Sequence, residues 1–214
     1  MSLVAISGNA SGTGTLTIAS PNTNSNFTLT LPTATTTIVG TDATQTLTNK
    51  TIQGGAITSG TAVASTSGTS IDFTSIPSWV KRITVMFQGV STNGSSKTII
   101  QLGDSGGVET SSYLGSSTFA DGSATAENFS SGFIFSMRTG GTAAIRHGVV
   151  VLSLVNSSTN AWAEIGNIGS SDTPAITVSA GSKALSATLD RVRITTVGGT
   201  DTFDAGTINI MYEG

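Results

Sequence analysis

Two rhythms of apolar and polar positions divide this chain. From residue 83 onward apolar residues alternate with polar ones at the period of two that a half-buried strand requires. Ile83, Val85 and Phe87 share one face, with Thr84, Met86 and Gln88 on the other. Similar segments fall at 98–102, 133–137, 148–155, 161–165, 175–178, 189–195 and 207–212, separated by Gly, Ser, Asn and Asp turns. About eight strands and no competing amphipathic helix predict an all-β fold, an antiparallel β-sandwich of jelly-roll type. The run GVVVLSLV at 148–155 is nearly continuous in apolar residues. It predicts a strand buried on both faces, or on one face with a neighbouring subunit against the other. Ile208, Ile210 and Tyr212 share a face in the last strand, so the chain is expected to end within a sheet.

The rhythm of residues 27–52 is different: threonine-rich, almost uncharged, and punctuated by single apolar residues. Phe27, Leu29 and Leu31 alternate with Thr28 and Thr30, and Ile38, Leu47 and Ile52 follow as isolated apolar anchors. β-Branched threonine favours extended backbone. A single chain cannot cover so narrow a stripe, and several identical chains can bury it around a shared axis. An oligomeric stalk is expected, packed through these six residues. The alternation Thr15 to Ile18, a turn cluster at 20–26 and the strand from Phe27 form a hairpin candidate, with Pro32 ending that strand.

Charge locates a boundary. Residues 1–71 hold only Asp42 and Lys50, while the other nineteen Asp, Glu, Lys and Arg residues lie from Asp72 onward. The run SGTAVASTSGTS at 59–70 is small, polar and aperiodic, as a neck is. The expected organisation is therefore an extended region with its neck over 1–70, then a β-sandwich over 71–214. Charged residues are 10% of the 214 and the net charge is −3. With no basic footprint, nucleic-acid binding is not expected. Cysteine is absent, which excludes disulfides, a thiol nucleophile and cysteine-ligated zinc. No apolar stretch approaches membrane-spanning length, and the first residues lack the basic and apolar regions of an export signal. Membrane insertion and export are not expected.

The pattern L-P-x-A-T-x-T-x-V-G over 31–40, followed by T-L-T-N-K-T at 46–51, resembles the repeating language of bacteriophage fibre proteins. The ending DTFDAGTINIMYEG, 201–214, resembles the closing strand of knob domains in such proteins. The resemblance implies a homotrimeric virion structural protein, assembled in the host cytoplasm. Its N-terminal region would mount on other virion proteins of tail or capsid, and its knob would face a host-surface glycan or protein. A capsid (head) fibre or decoration protein with a structural role alone is the alternative, and a tailspike-like polysaccharide hydrolase a more distant one. The resemblance calls for no enzyme activity.

Several residues have the types that chemistry uses. Residues 103–107 read GDSGG, the string around the nucleophilic serine of chymotrypsin-like proteases, but a triad needs a histidine base and a carboxylate behind it. The only histidine, His147, follows Ser105 at the mouth of an apolar strand. A tight turn is the expected role of GDSGG. Asp201 and Asp204 flank a turn without the spacing of a calcium loop. Asp104 with Glu109, or Glu127, are the loop carboxylates that a glycoside hydrolase would need to pair. No catalytic residue, metal ligand or cofactor is therefore expected. For receptor binding, Tyr113 in the polar stretch 104–128 and Trp162 after the turn at 156–160 are the candidates to offer ring faces to sugars, or else to pack a core. Trp79, beside Pro77, is expected to anchor shaft to knob.

Overall fold

Strands alone account for the regular structure of the computed structural model, which describes residues 11–14, 23–26, 57–139 and 144–214. Contacts group the chain into two units, Met1–Lys50 and Thr51–Gly214, and every described strand belongs to the second. The stripe residues Phe27, Leu29, Leu31, Ile38, Leu47 and Ile52, with the hairpin and stalk expected of them, lie outside the described residues.

The larger sheet has nine strands. Its order is β1 (Ile57–Ser59), β14 (Phe203–Glu213), β4 (Arg82–Thr92), β10 (Arg146–Asn156), β11 (Ala161–Ser170), β12 (Ala175–Ala184), β7 (Leu114–Ala120) and β8 (Ala124–Asn128), with β2 (Val63–Ala64) also on β14. The five-stranded sheet runs β3 (Ser70–Phe73), β13 (Arg191–Thr196), β5 (Thr98–Asp104) and β6 (Gly107–Val108), with β9 (Phe133–Ser136) also on β5. Every pairing among these strands is antiparallel.

One apolar core lies between the sheets. Ile83, Val85 and Phe87 face it from β4, as their alternation predicts, and meet Val150 and Leu152 of β10 and Ile208 and Ile210 of β14. Phe87 stacks on Phe135 of β9 with ring centroids 4.4 Å apart, joining one sheet to the other. Phe133 receives Tyr113 and Phe129 edge-on at 4.9 and 5.7 Å. Burying each such side chain stabilises the fold by roughly 1.5–3 kcal/mol. Ile134, on the face opposite Phe133 and Phe135, is also buried, so β9 is covered on both faces. Between β14 and β4 the register shifts at Ala205/Thr207, where Gly206 (φ 96°) lies against Gly89 (φ 67°). A Cβ on Gly206 would sit 2.5 Å from the Gly89 carbonyl carbon, so this bulge requires glycine.

Two stretches differ from the sequence expectation. The run 59–70, read as a neck, completes β1, supplies β2 and begins β3; Gly60 N donates to the Ile210 carbonyl at 2.7 Å and Ser65 Oγ to that of Ala205 at 2.8 Å. Small polar residues suit sheet edges, where backbone bonds do the holding. The stretch 104–128, read as a polar loop, contains β6, β7 and β8. The last strand meets expectation: β14 lies inside its sheet, between β1 and β4.

Candidate functional site

The aromatics singled out from sequence are in the core. Tyr113 is 1% exposed and its hydroxyl is engaged twice, accepting from Leu102 N at 2.7 Å and donating to the Glu109 carbonyl at 2.9 Å. Burial pushes its pKa up. Trp162 is 2% exposed and packs within the same core. Neither presents a ring face to solvent, because both point inward from the strand region of a two-sheet fold. Sequence alternation around Trp162 does carry that signal, since Trp162, Glu164, Gly166 and Ile168 form one buried face.

Trp79 is the exposed aromatic instead, half open to solvent. It packs against Tyr212 of β14 with centroids 5.9 Å apart and planes tilted by 57°. Tyr212 also lines a cleft of about 400 Å³ that opens where β1 and β2 approach the end of β3. Ser59, Thr61, Thr74 and Ser75 bring hydroxyls to this cleft, Asp72 a carboxylate, and Val63, Ile76 and Ile210 an apolar floor. Arg193 clamps Asp72 through two bonds, Nε to Oδ1 at 2.7 Å and Nη2 to Oδ2 at 2.8 Å, which fixes the carboxylate. Ser75 holds a left-handed backbone (φ 61°), uncommon for a residue other than glycine. A ring face beside hydroxyls and one clamped carboxylate can stack on an apolar sugar face and bond its hydroxyls.

GDSGG forms the turn expected of it. Asp104 Oδ1 accepts from Gly106 N at 2.7 Å and Oδ2 accepts from Ser186 Oγ at 2.7 Å. Those bonds hold its carboxyl below the ordinary carboxylate range. Ser105 is exposed on the β5–β6 turn. His147 faces outward on β10 in the other sheet, where Nδ1 accepts from Gly89 N at 3.2 Å and Nε2 lies 3.2 Å from Ser171 Oγ. The partners a triad would need are thus taken by other groups.

Glu109 and Asp104 do come together around Ser186, whose amide donates to Glu109 Oε1 at 2.7 Å. Burial pushes Glu109 upward, but the bonds from Lys183 and Ser186 outweigh it and leave its pKa lowered. A glycosidase pair needs one carboxyl raised to act as the acid, and here both are lowered. Glu127 is paired with Lys97. Asp201 Oδ2 accepts from Ser96 N at 2.8 Å and Asp204 accepts from Ser91 Oγ. Among the described residues, no three His, Asp or Glu side chains gather as a metal ion would require, and no helix is long and apolar enough to cross a membrane. No family model, curated protein or solved structure matches this chain.

Proposed function

We propose that this chain is the subunit of a homotrimeric bacteriophage fibre protein. The region before β1 would mount it on other virion proteins of tail or capsid and form the shaft, and a jelly-roll-like knob that takes in the strands of 57–70 would attach to the host surface. Support for the fibre comes from the stripe Phe27, Leu29, Leu31 and the motif over 31–51 in the sequence. Support for adhesion comes from one observation, the half-exposed Trp79 against Tyr212 beside the hydroxyl-lined cleft. The class of ligand that this arrangement fits is a neutral oligosaccharide, since Asp72 is the one charged group among the described residues lining the cleft and Arg193 already pairs with it. Three knobs on one shaft raise effective concentration, so a weak single site is enough for attachment.

Two measurements test this. Light scattering of the full chain should give about 64.5 kDa, three times the 21.5 kDa of one chain. An array of bacterial surface oligosaccharides should retain the protein, and Trp79→Ala should weaken retention about tenfold, the equivalent of about 1.4 kcal/mol. A 21.5 kDa species overturns the trimer. Retention unchanged by Trp79→Ala, or none at all, overturns the adhesive cleft.

A further inference from the structure

Strands β10, β11, β12 and β7 are partly inside-out. Their inward positions include Glu164, Thr177, Ser179, Lys183 and Ser117, all at most 4% exposed. Their outward positions include Leu114 (69% exposed), Ile165 (60%), Val178 (47%), Val149 (43%) and Ile176 (41%). A monomeric sandwich in water favours the reverse. Register makes the outward residues one continuous surface: Val151 lies opposite Ile165, Ile165 opposite Ala180, Asn167 opposite both Val149 and Val178, and Ser182 opposite Leu114. The outward positions over 147–153, 163–169, 176–182 and 114–120 contain no Asp, Glu, Lys or Arg, and His147 sits at one corner.

From this pattern we propose that the outward face of β10, β11, β12 and β7 is where a second copy of this chain docks. The assignment rests on the homotrimer reading and locates the knob's share of that contact. The absence of charge selects the occupant. A partner of opposite charge would find nothing to pair with, whereas three copies of an uncharged face of Val, Ile, Leu, Ser, Thr and Asn can pack around a three-fold axis without desolvating an ion. The stripe at Phe27, Leu29 and Leu31 calls for identical chains around one axis, so those copies already stand beside one another at high effective concentration. Four strands about 4.8 Å apart, each with about seven residues rising about 3.4 Å, span roughly 400 Å² in plane. Side-chain relief and flanking β4 positions enlarge that towards the roughly 800 Å² per partner of a stable interface. The 148–155 run is then accounted for: β10 has one face in its own core and the other against a neighbour.

The absence of cysteine makes the test direct. Ile165→Cys and Val178→Cys each place one thiol on the proposed interface, and Val197→Cys places one at a position of matching exposure, 50%, after β13. Each full-length variant is sized by light scattering and reacted with a maleimide under native conditions. In a three-chain species, Ile165→Cys and Val178→Cys should react at least tenfold more slowly than Val197→Cys, and the difference should vanish in denaturant. Equal native rates in a three-chain species overturn this assignment and leave the trimer standing. A one-chain mass overturns both. Slow labelling in a one-chain species also overturns the assignment, since the chain would then be covering its own face.

Discussion

Ser179 donates its hydroxyl to Glu164 Oε1 at 2.6 Å across the β11–β12 pair, inside the sandwich, while their chain neighbours Ile165 and Val178 face outward. Glu164 Oε2 has no hydrogen-bond partner. Burial pushes the carboxyl up to about 7, and the Ser179 bond offsets only part of that. The group therefore sits neutral in the fold at a pH where the unfolded chain has already ionised.

Stability should fall as pH rises through this window. Below about pH 4.5 the carboxyl is protonated in both states and carries no penalty. Between about 4.5 and 7 the unfolded state loses the proton first, costing the fold about 3 kcal/mol by the upper end. Glu164→Gln removes the titration, so its urea midpoint at pH 8 should exceed the parent's while the two converge at pH 4.5. Measurement at one protein concentration keeps any association constant. Parallel pH profiles for the two proteins would refute the buried-carboxyl account.

Tyr113 anchors the start of β7 to β5 through its hydroxyl. In Tyr113→Phe the buried Leu102 N–H loses its 2.7 Å acceptor and the Glu109 carbonyl a 2.9 Å donor. The expected cost is about 1–3 kcal/mol, read as a lowered thermal midpoint. Oligosaccharide retention should be unchanged, in contrast to Trp79→Ala. Loss of binding without loss of stability would return Tyr113 to the receptor site.

Much of the sandwich was legible because its central strands obey a period of two. Ile83, Val85, Phe87, Ile208 and Ile210 all bury as the pattern requires. The edges were not legible. Residues of β7 such as Gly115, Ser116, Ser117 and Thr118 form a strand by pairing with β12 and β8, a property of neighbours that no local pattern reveals. The same limit left open whether Tyr113 and Trp162 face sugars or pack a core. Tyr113 and Trp162 stood in stretches that read as loops or turn-flanked, yet partner strands enclose them. Trp79 read as an anchor; it packs on the sequence-distant Tyr212 and stays half exposed.

The Phe87–Phe135 stack joins the two sheets with ring centroids 4.4 Å apart, and Phe135 is fully buried. Phe135→Ala should cost about 3–5 kcal/mol, because the lost transfer energy is compounded by a cavity that two rigid sheets cannot close. Conservative Phe135→Leu should retain much more of the stability. Equal midpoints for the two variants would mean that the sheets relax around this position.

The C-terminal strand should be indispensable. β14 pairs with β1, β2 and β4, and removing residues 207–214 deletes Ile208 and Ile210 from the core along with the whole β1 register. It also leaves the edge of β4 at Ile83, Val85 and Phe87 without a partner, a long unpaired edge of the kind that recruits other chains. The truncated protein should be insoluble, or soluble without a cooperative unfolding transition. A soluble truncation that melts cooperatively would show that β1 or β2 can close directly onto β4, and that β14 caps the sandwich instead of building it.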